Sequence, residues 1–569
     1  MTTPVNPNEQ IKARSQRLRG TLAESLADEL TAAIDPADTQ IGKFHGFYQQ
    51  DDRDRRAERR ERWLEPEYSF MLRARLPGGV CTPDQWLTID RIGRELANGS
   101  VRLTTRQTFQ YHGIPKGDLR AVIQGIHQAL IDSIGGCGDI NRNVMCNPNP
   151  VESPLHAEVY AWARRISEHL LPQTRAYHEL WLDGERLAGS GEEDEPLYGA
   201  TYLPRKFKVA VAVPPHNDVD VHANDLGFIA ITDPADPARL LGFDCLAGGG
   251  MGTTHGDRST FPRLADDLGF VAPEQVLAVA EAVLTTQRDF GDRVNRIHAR
   301  LKYTIERMGL AAFKAEVERR AGLTFAPPRP VTFTDHGDRY GWMRGHEGRW
   351  HLTLFIENGR LQDSPERPLL SGVRAIAEVH RGDFRITPNQ NLIVAGVPAR
   401  QKKRIDALAR AHGLLADGRT PLRLGAIACV AFPTCPQAMA ESERYFPGLL
   451  TQVEALAARH GLADENLVLR MTGCPNGCAR PFLAEIGFVG KGPGTYNLLL
   501  GGDGRGTRLN ALYRENIAEP EILATLDALF ARFAAERQPG ERIGDFAIRT
   551  GLVRRVQDAA RDFHGVAGG

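Results

Sequence analysis

The stretch Val101-Arg-Leu-Thr-Thr-Arg-Gln-Thr-Phe-Gln-Tyr-His-Gly-Ile-Pro115 returns, at one constant offset, as Phe384-Arg-Ile-Thr-Pro-Asn-Gln-Asn-Leu-Ile-Val-Ala-Gly-Val-Pro398. Arg, Thr, Gln, Gly and Pro recur in register, the apolar positions between them match, and a strand-like run and a helix-like run precede each copy. Like surfaces pack most economically about a two-fold axis. The repeat therefore points to two related halves that meet about a pseudo-two-fold axis with a shared site between them.

A chain of 569 residues is too long for one hydrophobic core, so several lobes are expected. Strand-like runs cover 70–76, 101–112, 208–213, 227–232, 350–357, 384–397 and 486–489. Helix-like runs cover 83–98, 154–171, 273–285, 312–321, 402–412 and 520–536, with Gly/Pro clusters between them. The class is α+β. Three lobes are expected: one from residues 65–135 and 337–410, the two repeat-bearing half-domains, and two flanking lobes at 136–336 and 411–569. Residues 1–64 read as a separate charge-dense N-terminal extension, with runs such as Asp51-Asp-Arg-Asp-Arg-Arg56. Such a run is a solvated mixed-charge face or a partner-docking segment.

Lys plus Arg total 70 against Asp plus Glu at 71. No global basic field exists to hold nucleic acid or an anionic membrane, so any anion site is local. The N-terminus lacks the basic start and apolar run of a secretory signal, and no long apolar stretch reads as a membrane span. A cytoplasmic address is expected, where cysteines serve metals or catalysis rather than disulfides.

Four of the eight cysteines fall in one window, as Ala-Cys429-Val-Ala-Phe-Pro-Thr-Cys435-Pro and Thr-Gly-Cys474-Pro-Asn-Gly-Cys478-Ala-Arg. Four thiolates on two loops suit a 4Fe-4S cluster. The Cys-x5-Cys and Cys-x3-Cys spacings fit neither zinc knuckles nor ferredoxin runs, so a structural zinc site and unligated cysteines stay open as alternatives. Gly473, Gly477, Pro436 and Pro475 beside them favour turns whose amides can point at sulfur. Cys81, Cys137, Cys146 and Cys245 have no partner spacing and read as small buried residues.

The cysteine stretches, together with Phe44-His-Gly-Phe-Tyr-Gln-Gln-Asp-Asp-Arg-Asp54, Thr201-Tyr-Leu-Pro-Arg-Lys-Phe-Lys208 and His222-Ala-Asn-Asp225, resemble the sulfite and nitrite reductase haemoprotein family over essentially the whole chain. The resemblance implies a pseudo-two-fold sirohaem reductase fold and six-electron reduction of sulfite to sulfide. It also implies that Cys429, Cys435, Cys474 and Cys478 bind the 4Fe-4S cluster, with Cys478 also the axial ligand of sirohaem. By motif position it assigns Arg73, Arg142, Lys206 and Lys208 to the substrate. Two lysines favour sulfite over nitrite, since nitrite reductases of this family tend to carry Asn at the second position. Sirohaem has eight carboxylates, and Arg102, Arg106, Gln107, Thr108, Gln110 and His112, with Asn389, Gln390, Asn391, Arg300 and Lys302, are candidates for its cradle. His112 reads as a hydrogen-bonding or packing residue rather than an iron ligand.

No Gly-x-Gly-x-x-Gly fingerprint or P-loop is present, so electrons come from another protein. The family implies an NADPH-oxidising flavoprotein subunit carrying FAD and FMN, in a hetero-oligomer. The alternatives are a ferredoxin-dependent sulfite or nitrite reductase and, among non-enzymes, a structural metal or electron-carrier protein.

Overall fold

The structure is a computed structural model. It describes residues 5–148, 153–173 and 195–564, with the backbone of a hairpin formed by Glu179–Leu182 and Glu185–Gly189. Four five-stranded sheets fall into two matched pairs.

In the first pair, one sheet runs Phe47–Asp51, Tyr68–Arg73, Phe109–Ile114, Ser100–Leu103, Arg360–Gln362. The other runs Gly341–Arg344, Trp350–Leu354, Leu392–Val397, Asp383–Ile386, Val80–Cys81. Each sheet takes its last strand from the opposite half: Leu361 faces Val101, and Cys81 faces Phe384. One core runs through both halves, with Trp86 5.5 Å from Phe384. The exchange covers two edges that separate halves would leave open. Local signals agree with the assignment. Thr82 caps the helix Pro83–Glu95 by accepting from the Gln85 amide at 3.2 Å, while the Gln85 side chain accepts from Thr82 N–H at 2.9 Å.

The repeated stretch is a hairpin in each half, not the single strand that its apolar pattern suggests. Thr104 N–H donates to Thr108 at 2.8 Å and Thr387 N–H to Asn391 at 2.9 Å, closing equivalent turns. Gln107 and Gln390 sit in left-handed backbone at φ 53° and 70°. A turn resets which face each side chain takes, so alternation cannot be carried across residues 101–112 or 384–397.

The second pair holds a repeat that residue identities hide. One sheet runs Met145–Cys146, Val209–Ala212, Leu226–Asp233, Asp236–Ala247, Asp266–Val271. Its mate runs Ile427–Ala428, Leu469–Thr472, Ile486–Gly492, Thr495–Leu500, Ala511–Ile517. In both, the first three strands are parallel and the rest antiparallel. Val209 superposes on Leu469, Asp220 on Arg480 and Leu226 on Ile486 at one offset. Asp220 and Arg480 both adopt left-handed backbone immediately before a short 3-10 turn.

Residues 5–64 do not stand apart as an extension. Leu18, Ile41 and Phe44 belong to the core of the 136–336 lobe, Ile34 and Phe47 to the central core, and Phe47–Asp51 is a sheet edge. The charge runs mask these few apolar anchors. The helix Arg56–Glu61 and the residues just after it have no buried residue and lie on the surface, with Trp63 96% exposed. Among the described residues no helix is long and apolar enough to cross a membrane.

Candidate functional site

The cysteine loops are the turns that follow two adjacent parallel strands, Ile427–Ala428 and Leu469–Thr472. Cys429 N–H donates to Met471 at 3.2 Å, which fixes one loop to the other. Gly473 N–H donates to Cys429 Sγ at 3.3 Å, the amides of Gln437 and Ala438 face Cys435, and that of Asn476 faces Cys474. This is the amide lining that the flanking Gly and Pro residues suggest. A side chain at 473 would strike Ala440 O at 2.5 Å and Ala431 Cβ at 2.6 Å, so only glycine lets the loops close.

Burial pushes the thiols of Cys429, Cys435 and Cys474 upward, that of Cys429 to about 12, and the charge of Cys478 adds to the rise in all three. The four sulfurs therefore converge around Cys478. Among the described residues no three His, Cys, Asp or Glu side chains are close enough to hold a single metal ion. A tetrahedral zinc with bonds of about 2.3 Å needs its sulfurs within about 4 Å of one another. Thiols whose ionised forms raise one another's pKa suit a multinuclear centre that supplies its own positive charge.

Opposite the loops stands a block of cations. The segment Ile140–Arg142 runs beside Phe207: Arg142 N–H donates to Phe207 O at 2.8 Å and Phe207 N–H to Ile140 O at 3.1 Å. The Phe207 ring is fully buried, so strand alternation turns Lys206 and Lys208 together onto the other face. Neither lysine has a side-chain hydrogen bond or ion pair among the described residues. Burial, then Arg205 and Arg300, brings Lys206 down to about 7, while Cys478 opposes the shift. Lys208 is pushed well below the usual lysine value by burial, Lys206 and Arg106.

Arg142 donates to the carbonyls of Gly138 at 2.9 Å and Gly136 at 3.2 Å. Arg73 donates to Gln110 Oε1 at 2.8 and 3.1 Å and to Cys137 Sγ at 3.4 Å. Burial works to lower the Arg73 pKa, but Cys137, Tyr48, Cys478 and Cys435 outweigh it and the net shift is upward. Arg73 and Lys206 thus both lie within electrostatic reach of Cys478, the one cysteine of the four that is exposed.

Between the loops and the lysine strand lies a cavity of ≈ 460 Å³ lined by Arg205, Lys206, Arg296, Arg300, His255, Gln437, Met439, Cys474 and Asn476, among others. Of the cradle candidates, Arg300 lines it, held bidentate by Asp225 at 2.9 Å. The others face inward. Arg102 bonds Glu443 at 2.7 Å and Ala428 O at 2.9 Å, and Thr108 bonds Ala74 O. Arg106 spends its donors on Asn143 O, Val209 O and Asn224. Gln107 accepts from Cys146 N–H, and Gln390 donates to Asn358 O. Asn389 and Asn391 hold Asp338, and Lys302 is fully buried against three carbonyls.

Gln110 and His112 form a buried chain. Gln110 Oε1 accepts from Arg73, so its amide donates to His112 Nε2 at 2.8 Å, leaving the Nδ1 proton for Gln50 at 3.2 Å. Because a hairpin turn interrupts the stretch, the polar residues of 102–112 brace strands instead of lining one open face. Sequence reasoning missed Arg205 and Arg296. Arg205 lies inside the quoted motif, while Arg296 carries no sequence signal. Both lean on Asp139, which Arg296 reaches at 2.8 Å and whose carboxyl is held down to about 2 against burial.

Two family models match the chain. The nitrite and sulphite reductase 4Fe-4S domain covers residues 161–325, and the nitrite/sulfite reductase ferredoxin-like half domain covers 64–129 and 343–412. The sulfite reductase [NADPH] hemoprotein beta-component of Thiocapsa roseopersicina is 67% identical over 99% of this chain and 100% of its own length. That of Shewanella denitrificans is 61% identical over 98% and 99%. The chain belongs to the nitrite and sulfite reductase family.

The Mycobacterium tuberculosis NirA protein has the same fold, with a TM-score of 0.77 at 24% identity over 96% of each chain. The reductase 4Fe-4S model matches the lobe whose repeat partner carries the four cysteines. The residues suit this family's groups: four thiols, three of them faced by backbone amides, for a cluster, and a cavity walled by Arg205, Lys206, Arg296 and Arg300 for a polycarboxylate tetrapyrrole.

Proposed function

We propose that this chain is the haemoprotein that reduces sulfite to sulfide, with Cys429, Cys435, Cys474 and Cys478 holding a 4Fe-4S cluster and Cys478 also serving sirohaem. Bound there, the coupled pair supplies an open iron position and single electrons. The observation that carries this reading is one cavity walled by Arg205, Lys206, Arg296 and Arg300 on one side and by the Cys474 loop on the other, with Arg73 and Lys206 both within electrostatic reach of Cys478.

The chain's own residues do the rest. Arg73 and Arg142 are held in place by Gln110 and by backbone carbonyls, so their positive charge is preorganised and costs no reorganisation when an oxyanion arrives. Lys206 and Lys208 are free of partners and can turn toward the departing oxygens. Burial, Arg205 and Arg300 loosen the hold of Lys206 on its proton relative to an exposed lysine, which favours passing that proton to an oxygen. Sulfite carries more charge than nitrite, and two lysines on one face suit it. Sulfite and nitrite turnover measured with one electron donor test this; a preference for nitrite contradicts it.

Electrons come from a flavoprotein alpha subunit that oxidises NADPH with its own FAD and FMN, in a cytoplasmic hetero-oligomer. The surface around Trp63 and the arginine-rich helix before it is the docking face within residues 1–64. Truncating the whole segment removes core anchors, so Trp63→Ala is the cleaner variant. NADPH-driven turnover falls while turnover with a small chemical reductant stays; equal loss of both contradicts the docking role.

A further inference from the structure

Arg53 reaches from the N-terminal segment over the first cysteine loop. Its backbone N–H donates to Pro433 O at 3.1 Å, and its guanidinium donates to Cys435 O at 3.2 Å and Ala438 O at 2.5 Å. The same guanidinium lies 4.4 Å from the centre of the Phe432 ring. Four contacts thus pin one cation to the turn that carries Cys435.

No carboxylate forms an ion pair with Arg53 among the described residues. Asp51 is taken by Arg56 and Asp54 by Arg444 at 2.6 Å. The charge therefore has no ion-pair partner of its own, feels Asp51 only at longer range beside the opposing Arg56, and is half-buried and fixed beside a proposed cluster ligand. The proposed substrate chemistry assigns it no part: its donors go to the loop carbonyls, and Arg73, Arg142, Lys206 and Lys208 are the cations given to the oxyanion.

We propose that Arg53 is a positioning residue for the cluster: it holds the Cys435 turn closed and its positive charge raises the reduction potential of the four-cysteine centre. The inference rests on the reading that these cysteines bind a 4Fe-4S cluster. Reduction adds one negative charge to an already anionic centre, so a fixed cation favours the reduced form more than the oxidised one. It also makes the N-terminal segment part of the electron-transfer apparatus in its own right.

The test is an EPR-monitored redox titration of the full-length holoprotein in three forms, with iron and acid-labile sulfide measured on each. Arg53→Gln keeps a donor for the loop carbonyls and removes the charge; Arg53→Lys keeps the charge and loses the fork. The Gln variant shifts the one-electron equilibrium about tenfold toward the oxidised cluster, about 59 mV lower, at unchanged cluster content. The Lys variant stays within threefold of wild type. A Gln variant at the wild-type midpoint, or a Lys variant that falls as far as Gln, overturns the role. Should Gln fail to load, Lys decides alone: a midpoint within threefold supports the role and a tenfold fall refutes it. Wild type without acid-labile sulfide refutes the cluster reading itself, a different outcome from a loaded Gln variant of unchanged potential.

Discussion

Two loops at equivalent places in the paired lobes do opposite things. Pro214–Asp218 follows the strand Val209–Ala212, as Cys474–Cys478 follows Leu469–Thr472 at the same offset. In the cysteine lobe, the turn after Ile427–Ala428 brings Cys429 to the Cys474–Cys478 loop. In the other, the turn after Met145–Cys146 brings Asn147, whose amide donates to Asp218 at 2.6 Å. One lobe closes the junction with a hydrogen bond; the other leaves four thiols that repel one another and need a cationic centre. The same topology is thus a structural joint in one copy and the proposed cofactor site in the other. Chemistry was placed by side chains on a shared scaffold.

The lobes also interlock through that symmetry. Asp220 in the first lobe is paired with Arg480, its own repeat mate, at 2.5 Å, with Arg470 at 2.7 Å and with His336 at 2.8 Å, all almost wholly buried. Arg480 donates on to Thr105 O, and the Thr105 hydroxyl donates to Cys478 O at 3.0 Å. The pair therefore ties the first lobe to the backbone of the proposed bridging cysteine. Burial would raise the Asp220 pKa, but Arg470 and Arg480 hold it far below the carboxylate range.

The contrast can be broken at its strongest point by Cys478→Ser. Acid-labile sulfide and haem are lost together and turnover falls below detection. Iron content unchanged in that variant contradicts the assignment. Next comes the interlock: Asp220→Asn leaves two buried arginines uncompensated and costs about 3–5 kcal/mol of stability by denaturant unfolding, against no change if the network is dispensable. Lys206→Met lowers sulfite turnover about 100-fold with cofactor content intact; loss of haem instead makes it a cradle residue.

A smaller effect concerns its titration. In cofactor-free protein, Lys206 deprotonates near 7, followed by the pH dependence of its acylation. Loading a polycarboxylate cofactor moves that midpoint upward, because added negative charge favours the protonated form. Between pH 7 and 10.5 the unfolded chain keeps this proton and the folded chain does not, so this lysine makes the cofactor-free protein more stable as pH rises. Smallest is Asp218→Asn, the first-lobe counterpart of the Cys478 change. It costs about 1 kcal/mol and leaves iron untouched.

Much of this was legible in residues. The four cysteines stood out by their clustering, though spacing alone left zinc open, and the two lysines stood out only through the family motif that surrounds them. The central repeat was legible because identities survive in it. The outer repeat was not, since Pro214–Asp218 and Cys474–Cys478 share a place in the fold and almost no side chains. The placement of the cradle candidates was hidden for a related reason. Polar residues on 102–112 and 389–391 look exposed by composition, yet a left-handed turn at Gln107 and at Gln390 sends them inward to brace strands. Arg296 and Asp139 meet only through tertiary contact, which no spacing records.

Mössbauer spectroscopy of the iron-57-enriched holoprotein bears most directly on the claim that one sulfur joins two iron centres at Cys478. The account predicts that the paramagnetism of the haem iron is imprinted on all four cluster irons. A cluster whose irons ignore the haem, or a site holding zinc, contradicts it.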